Sequence, residues 1–331
     1  MVKVGVIGLG MGKWHLMQYN RLPDVKIAAI CDVDEKRLND AAKEFQVPKL
    51  FRDYRKMLKI SELDAVSVAL PNFLHMPVTL EFLEAGKDVL VEKPMARTPE
   101  EAEKMLRKAK EMKKILMINM NHRWLPEFAA LKELIQAKKF GEIYYLKARW
   151  IRTRTFDEKQ KKVIWFANKE KAGGGTLLDI GVHCLDLGLH MLDDFEPVSV
   201  FGTTGNKFHQ EVDDFASALI KFKDGKTIHF ETTWESHIKK DDFSISILGT
   251  KAGAETSPLR TYQKEEGIPT ETVYNLPPGE VPAVRTSIGH FVECVTKRKE
   301  PITSPEKGLR VMRILDAIYR SSRTGKEIRL E

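Results

Sequence analysis

Short apolar runs rich in β-branched residues alternate with longer amphipathic segments over the first 120 residues or so, and this alternation constrains the fold more than any other feature. A chain that repeats strand, helix, strand in this way forms a parallel sheet with crossover helices. The predicted strands cover residues 2–8, 25–32, 63–70, 88–93 and 115–120, and the predicted helices cover residues 12–22, 34–45, 75–86 and 98–113. The pattern predicts a doubly wound α/β domain over residues 1–121.

The pattern changes after residue 122. A predicted helix at 126–138 and a strand at 143–151 are followed by long alternating strands, separated by turn dipeptides such as Asp224-Gly225. Such strands indicate a large, mostly antiparallel open sheet. The tail is predicted to be helical at 283–297 and 304–323. We therefore predict a second, α+β domain over residues 122–331, whose helix 304–323 can pack back on the first domain.

Length and composition exclude several classes of protein. The 331 residues, 42% of them hydrophobic, suit two globular domains. The net charge of +7 is spread over mixed-sign segments, which argues against a nucleic-acid partner. The first residues run straight into an apolar strand without a basic leader, and no apolar stretch is long enough for a bilayer, so we expect a cytoplasmic protein without a membrane partner. The 3 cysteines are widely separated, and the histidines and carboxylates form no convincing ligand set, so neither a disulfide nor a metal site is predicted.

The first predicted strand leads into Gly8-Leu9-Gly10-Met11-Gly12 and then into a helix. Glycines in this context let the pyrophosphate of a dinucleotide approach a helix N-terminus. The third glycine comes one residue earlier than in the GxGxxG fingerprint, and a tight turn could need glycine without any ligand. Asp32, at the end of the second strand, favours the ligand because a carboxylate accepts hydrogen bonds from a ribose diol and repels a 2′-phosphate. We expect NAD, with NADP left open by Lys36 and Arg37.

Further polar groups follow the third and fourth strands of the predicted sheet. Open α/β sheets bind ligands at these carboxyl ends. Lys93 therefore lies in the cofactor region by topology, although a solvated loop lysine is the alternative interpretation. The predicted cofactor-binding residues are Gly8, Gly10, Met11, Gly12, Asp32, Pro71, Asn72, His75, Glu92 and Lys93.

The segment GGGTLLDIGVHCLD places Asp179 and His183 four residues apart, so an α-helix would stack a carboxylate and an imidazole on one face. An imidazole held by a carboxylate can exchange a proton near neutral pH. We interpret the preceding glycines as room for a substrate at the helix start. Taken alone, such a pair is more often a surface contact than a catalytic one.

Six motifs occur in order along the chain: VGVIGLGMGKWH, PNFLH, VLVEKP, NHRW, GGGTLLDIGVHCLD and the C-terminal PITSPEKGLRVMRILDAIYRSS. With them the chain resembles the Gfo/Idh/MocA family of NAD(P)-dependent oxidoreductases, most of which act on sugars, inositols or their derivatives. The resemblance implies a Rossmann domain followed by an α/β domain whose open sheet makes subunit contacts, and hence a homodimer or homotetramer. It also implies that the family's catalytic lysine falls on Lys93 and the aspartate and histidine of its DxGxH element on Asp179 and His183.

The reaction implied by this resemblance is reversible oxidation of a secondary alcohol of a sugar or polyol, with hydride transfer to nicotinamide. His183 is the predicted general base, oriented by Asp179, while Lys93 stabilises the alkoxide; Lys93 as the base is the alternative. Two other functions stay open: an NAD-dependent glycoside hydrolase that uses transient C3 oxidation, and a non-catalytic NAD-responsive regulatory protein. The predicted substrate-binding residues are Lys93, Arg123, Arg152, Trp165, Asp179, His183 and His237, with Trp124 and Arg154 as further candidates.

Overall fold

The computed structural model describes residues 1–153, 165–209, 211–276 and 282–330, and it divides into two compact units. Met1–Asn121 and Val281–Leu309 form the first unit, and His122–Glu280 and Arg310–Glu331 form the second. The domain prediction assigned every residue after 121 to the second domain. In the structure a second segment, 281–309, belongs to the first unit.

The first unit is built on a parallel sheet, and its elements follow in chain order. They are β1 (Val2–Ile7), α1 (Gly12–Asn20), β2 (Val25–Cys31), α2 (Glu35–Phe45), β3 (Lys49–Phe51), β4 (Ala65–Val68), α3 (Asn72–Glu84), β5 (Asp88–Glu92), α4 (Pro99–Met112) and β6 (Leu116–Asn119). Among the described residues the sheet has the order β3-β2-β1-β4-β5-β6, with every pair parallel. This confirms the predicted Rossmann sheet, whose strand order reverses at β1 and β4, where such sheets bind ligands. The short edge strand β3 was not predicted.

The second unit is built on a larger sheet. Its elements are α5 (Pro126–Gln136), β7 (Ile143–Ile151), α6 (Lys169–Ala172), α7 (Val182–Leu192), β8 (Ser199–Gly205), β9 (Phe215–Lys221), β10 (Thr227–Thr233), β11 (Asp242–Gly249), β12 (Ala252–Glu255), β13 (Arg260–Glu265) and β14 (Ile268–Val273). The chain continues with α8 (Ser287–Lys297), α9 (Pro305–Thr324) and β15 (Ile328–Arg329). In the described part of the chain the strand order is β14-β13-β12-β11-β7-β10-β9-β8-β15, antiparallel except for β7 and β10. The mostly antiparallel sheet is therefore confirmed.

The two faces of this larger sheet differ in polarity and burial. Alternate residues of the central strands, such as Leu146, Ile228 and Phe230, are fully buried. Helix α7 packs on that face, where a Cβ atom on Gly188 would lie 3.3 Å from the Cδ1 atom of Ile228. The strand residues that alternate with these buried ones point to the opposite face of the sheet. That face carries exposed apolar side chains such as Phe201. The sheet thus holds α7, the helix that contains His183, on one side.

Local sequence signals account for where several helices begin. Thr98 caps α4 by accepting a hydrogen bond from the Glu101 N–H at 3.3 Å, and Pro99 stands in the first turn, where proline is well tolerated. Asp34 caps α2 in the same way through the Arg37 N–H at 3.0 Å. None of the described helices combines the length and the apolar character that a bilayer-spanning segment needs.

Candidate active site

The glycine turn after β1 has the backbone geometry of a dinucleotide site. Gly8 has a φ of +83°, and a Cβ atom there would lie 2.3 Å from the carbonyl oxygen of Ala69, so this position requires glycine. Gly12 lets α1 approach β1, since its Cβ atom would lie 2.8 Å from the Val6 Cγ1 atom. Close helix–strand packing is the role of the third glycine in the usual fingerprint. The early glycine therefore performs that role within the shortened spacing.

The start of α1 is open to an anion. Its N-cap residue, Met11, makes no side-chain hydrogen bond to the first turn, and that turn holds no acidic residue. A Cβ atom on Gly10 would meet no atom nearer than the Arg37 Nη1 atom at 3.6 Å. Uncapped N–H groups and the positive end of a helix dipole suit a diphosphate, so these residues fit a dinucleotide.

Asp32, which follows β2, is buried and serves the turn itself. Its Oδ2 atom accepts a hydrogen bond from the Leu9 N–H at 2.6 Å, and its Oδ1 atom accepts one from the Asp34 N–H at 2.8 Å. The Arg37 guanidinium lies 3.5 Å from Oδ2. The carboxylate is therefore oriented before any ribose binds, and its charge is partly balanced by an arginine.

His75 connects the loops after β4 and β5. Its ring is fully buried, with Nδ1 2.8 Å from the carbonyl oxygen of Pro94 and Nε2 2.7 Å from that of Leu70. Burial lowers the pKa of His75, which favours the neutral ring. Because a neutral imidazole has one N–H, it donates to only one of these two carbonyl oxygens at a time. His75 thus holds the Lys93-Pro94 loop near the end of β4, with Pro71 and the buried Asn72 at the start of α3.

Glu92, the residue before Lys93, lies in a buried hydrogen-bonded group. Its Oε1 atom is 2.8 Å from His15 Nε2 and accepts a hydrogen bond from the Asn119 amide at 2.6 Å, while Oε2 accepts the Lys93 N–H at 3.2 Å. Burial alone would raise the pKa of Glu92, but the hydrogen bonds from His15 and Asn119 and the charge of Lys93 outweigh it and lower that pKa. The ionised Glu92 therefore fixes the backbone of Lys93, whose own side chain is partly exposed.

A π-helical turn, Leu177–Gly181, precedes α7 and contains Asp179. The sequence predicts a regular α-helix here, in which residues four apart lie on one face. A π-turn is wider than an α-helical turn, so residues four apart no longer lie directly above one another, and such turns are common at functional sites. The Asp179 side chain is partly exposed, and its Oδ2 atom accepts a hydrogen bond from the Trp234 indole at 3.0 Å.

Asp213 anchors the start of this turn. Its carboxylate accepts hydrogen bonds from the Gly175 and Leu177 N–H groups, each at 2.8 Å, and from the Tyr319 hydroxyl at 2.6 Å. Burial raises the pKa of Asp213, against the effect of these three hydrogen bonds.

Two of the three glycines before the π-turn, Gly174 and Gly175, do not provide open space. A Cβ atom on Gly175 would lie 1.8 Å from the Asp213 carbonyl oxygen, and one on Gly174 would lie 2.2 Å from the Tyr319 hydroxyl. Protein atoms fill the room that we assigned to substrate at these two positions, so the interpretation is wrong for Gly174 and Gly175. These glycines are needed because the segment packs directly against Asp213 and Tyr319.

His183 lies in a cluster of rings and is 5% exposed. The His122 ring stacks on it with centroids 3.9 Å apart, and the centroid of Trp150 is 5.9 Å away. Phe243 stacks on Trp150 at 4.4 Å from the neighbouring strand β11. The cluster limits the rotation of the imidazole and surrounds it with apolar surface.

The other predicted substrate-binding residues of this unit differ in their surroundings. Arg123 is buried and makes two hydrogen bonds to Asp186, at 2.7 and 2.5 Å. Arg152 is partly exposed, 3.7 Å from Asp241 and above the Trp150 ring. His237 is exposed, and the Trp165 ring meets Phe166 at 5.9 Å. Arg154 lies outside the described residues.

Three residues at this site, Asp213, Trp234 and Trp150, were not identified from the sequence. Each is distant in sequence from the residue it contacts, with Trp234 and Asp179 separated by 55 positions. The adjacent pair Asp213-Asp214, before an alternating strand, was the available signal, because carboxylates next to a buried strand need partners.

Comparison with protein families assigns both parts of the chain. A family model described as an oxidoreductase family with an NAD-binding Rossmann fold matches residues 2–120. A second model, described as the C-terminal alpha/beta domain of that oxidoreductase family, matches residues 132–330.

Individual proteins are similar over three quarters of the chain or more. D-glucoside 3-dehydrogenase of Escherichia coli (strain K12) is 29% identical, over 99% of this chain and 97% of that protein. Levoglucosan dehydrogenase of Pseudarthrobacter phenanthrenivorans is 27% identical, over 76% of this chain and 72% of that protein. A structure of levoglucosan dehydrogenase in complex with NADH and levoglucosan has a TM-score of 0.91 at 23% identity, covering 99% of each chain. That structure shares the fold.

The Arg123–Asp186 ion pair generates a stability prediction. Its side chains are 1% and 3% exposed, so Arg123→Met leaves a buried carboxylate without its guanidinium. The loss should cost about 3 to 5 kcal/mol and lower the Tm by roughly 10 °C in a thermal unfolding experiment. The double variant Arg123→Met/Asp186→Leu should recover most of the loss. An unchanged Tm together with a large rise in the KM for substrate would instead assign Arg123 to substrate binding.

Proposed function

The chain belongs to the GFO_IDH_MocA oxidoreductase family, and from that premise we propose that this NAD(P)-dependent dehydrogenase oxidises a secondary alcohol of a sugar, an inositol or a sugar derivative. A carbohydrate substrate is supported by the similarity to D-glucoside 3-dehydrogenase along nearly the full chain. NAD is the proposed cofactor, and reversible oxidation at a CH–OH group is the reaction.

The residues around the glycine turn support a dinucleotide. The N–H groups at the start of α1 would hold the diphosphate, and the Asp32 carboxylate would accept hydrogen bonds from the adenosine ribose. When bound, NAD accepts the hydride of the alcohol carbon. The protein must then receive the hydroxyl proton and stabilise the charge on the oxygen.

The setting of His183 is the observation that carries the proposal for proton transfer. This imidazole is 5% exposed and stacked on His122, and it follows the π-turn that holds Asp179. We assign the general-base role to His183 and its orientation to Asp179. A base positioned in this way contributes about 10² to 10⁴ in rate.

Lys93 is the proposed electrostatic partner of the substrate oxygen. Its backbone is fixed by Glu92 directly after β5, and its ammonium group would stabilise a developing alkoxide. The alternative, in which Lys93 itself accepts the proton, predicts that its loss abolishes turnover while the loss of His183 is mild.

Self-association through the larger sheet is also proposed. Its outer face carries Phe201, Leu219 and Leu248, which are 50%, 43% and 46% exposed, and Phe201 pairs with Leu219 across β8 and β9. Exposed apolar side chains on one face of a sheet favour burial against another protein surface. A second copy of the chain in a homodimer or homotetramer is the occupant we propose.

Turnover with a panel of sugars, inositols, sugar acids and nucleotide sugars tests the reaction, followed by NAD(P)H absorbance. We expect net NADH formation with at least one of them.

His183→Ala and Lys93→Ala should each lower kcat about 10²- to 10⁴-fold. His229→Ala, on the outer sheet face, and the exposed Lys104→Ala should retain turnover.

The other functions predict different outcomes of the same assay. Release of product from a glycoside without net NADH would favour the hydrolase, and NAD binding without any turnover would favour the regulatory protein. Full activity of both His183→Ala and Lys93→Ala would contradict the proposed mechanism.

Cofactor choice depends on Asp32. We expect binding of NADH at least about tenfold tighter than NADPH, because the carboxylate repels a 2′-phosphate. Arg37→Ala should increase this preference, since its guanidinium lies 3.5 Å from Asp32 and offsets the repulsion. Titration of both reduced cofactors by fluorescence measures the ratio. Tighter binding of NADPH by the unmodified protein would overturn the assignment.

Light scattering after size exclusion tests the proposed assembly. The unmodified chain should elute as a dimer or tetramer, and Phe201→Glu/Leu219→Glu should shift it to smaller species because charge at the centre of an apolar contact is desolvated. Met17→Glu, at a residue of α1 that is 48% exposed, serves as the control and should leave the mass unchanged. A monomeric unmodified chain would refute the proposal.

A further inference from the structure

Trp234 makes a directed contact with the carboxylate of Asp179. Its Nε1–H donates a hydrogen bond to Asp179 Oδ2 at 3.0 Å. An indole has one N–H donor and no acceptor nitrogen, so the polarity of this bond is fixed. A donor aimed at one oxygen stabilises the ionised carboxylate and sets the plane in which it lies.

The indole is held firmly by its surroundings. Trp234 is fully buried and packs in a cluster with Ile180 and Val212. The Phe166 ring meets it edge-on, with centroids 5.8 Å apart. Its backbone N–H donates to the carbonyl oxygen of Asp214 at 3.0 Å. The donor therefore keeps one position.

The backbone that carries Asp179 is fixed by a different set of hydrogen bonds. Asp213 accepts the Gly175 and Leu177 N–H groups at the start of the π-turn, and the Asp179 N–H itself donates to the Gly175 carbonyl oxygen at 3.0 Å. Backbone and side chain of Asp179 are thus positioned by different residues. The backbone hydrogen bonds hold the π-turn in place, whereas the hydrogen bond from the indole orients only the Asp179 carboxylate.

We propose that Trp234 is a positioning residue for proton transfer, which acts through its hydrogen bond to the Asp179 carboxylate and not through packing alone. The inference rests on the proposed function, in which Asp179 orients the His183 imidazole. Fixing one carboxylate oxygen fixes the direction that the other presents. Without the indole N–H, the carboxylate samples several orientations and the imidazole is correctly oriented for a smaller fraction of the time.

A double-mutant cycle tests this inference. Trp234→Phe keeps an aromatic ring and removes the donor, so we expect kcat to fall about 10- to 100-fold. The KM for the sugar should change less than about threefold, because the substrate is not contacted. In an Asp179→Ala background, the same substitution should cost less than about threefold, since its target is already absent. An equal loss in both backgrounds would show that Trp234 acts by packing and would overturn the proposal.

Two further variants separate the hydrogen bond from the shape of the side chain. Phe166→Leu is the matched control, because it contacts the same ring and donates nothing; it should lower the Tm, with a small and equal effect on kcat in both backgrounds. Replacement of Trp234 by benzothienylalanine substitutes sulfur for the N–H at nearly constant shape. This variant should reproduce the loss in kcat with little change in Tm. It therefore tests the hydrogen bond even if Trp234→Phe folds poorly.

A spectroscopic measurement is independent of turnover. The chain has 5 tryptophans, so the indole N–H resonance of Trp234 can be assigned in a ¹⁵N spectrum as the one missing from Trp234→Phe. Asp179→Ala should shift this resonance and accelerate its exchange with solvent. An unchanged resonance would overturn the proposal.

The cycle also distinguishes the two proposals from each other. Full activity of Asp179→Ala on a genuine substrate would refute the role of Asp179 in the proposed function. A large loss with Asp179→Ala but not with Trp234→Phe would leave that function intact and overturn the inference on Trp234.

Discussion

In each unit, a buried carboxylate that accepts backbone N–H groups fixes the turn before a helix of the candidate site, α1 in the first unit and α7 in the second. Asp32 accepts the Leu9 N–H in the turn before α1 and the Asp34 N–H before α2, and Asp213 accepts the N–H groups of Gly175 and Leu177 before α7. A carboxylate removed from water needs such donors to offset the lost hydration. The exposed helix start in the first unit and the π-turn in the second depend on these two residues.

Asp213 and its neighbour Asp214 bind different backbone segments of the second unit. Asp214 Oδ2 accepts the N–H groups of Lys207 and Phe208, both at 2.5 Å, while its carbonyl oxygen accepts the Trp234 N–H. One short stretch before β9 therefore organises both the turn that holds Asp179 and the loop at 207–209.

The Rossmann sheet could be predicted from the sequence because strands buried on both faces appear as continuous β-branched runs, and glycine turns have local causes. The π-turn could not, since Leu177, Leu178 and Ile180 also fit an ordinary α-helix. The space next to Gly175 was misjudged for a related reason. Its filling by Asp213 is a tertiary contact, and the sequence shows that glycine is required but not what approaches it.

The two residues that hold the π-turn and its Asp179 carboxylate, Asp213 and Trp234, lie next to strands of the sheet and not at the far ends of its loops. Asp213 shortly precedes β9 and Trp234 directly follows β10, and these two strands pair with each other. Exposed side chains such as His237 lie on the loop beyond. Loop residues of this kind can be replaced without disturbing the hydrogen bonds of Asp213 and Trp234 that position Asp179. The arrangement allows the exposed loop to change in sequence while the position of Asp179 is retained.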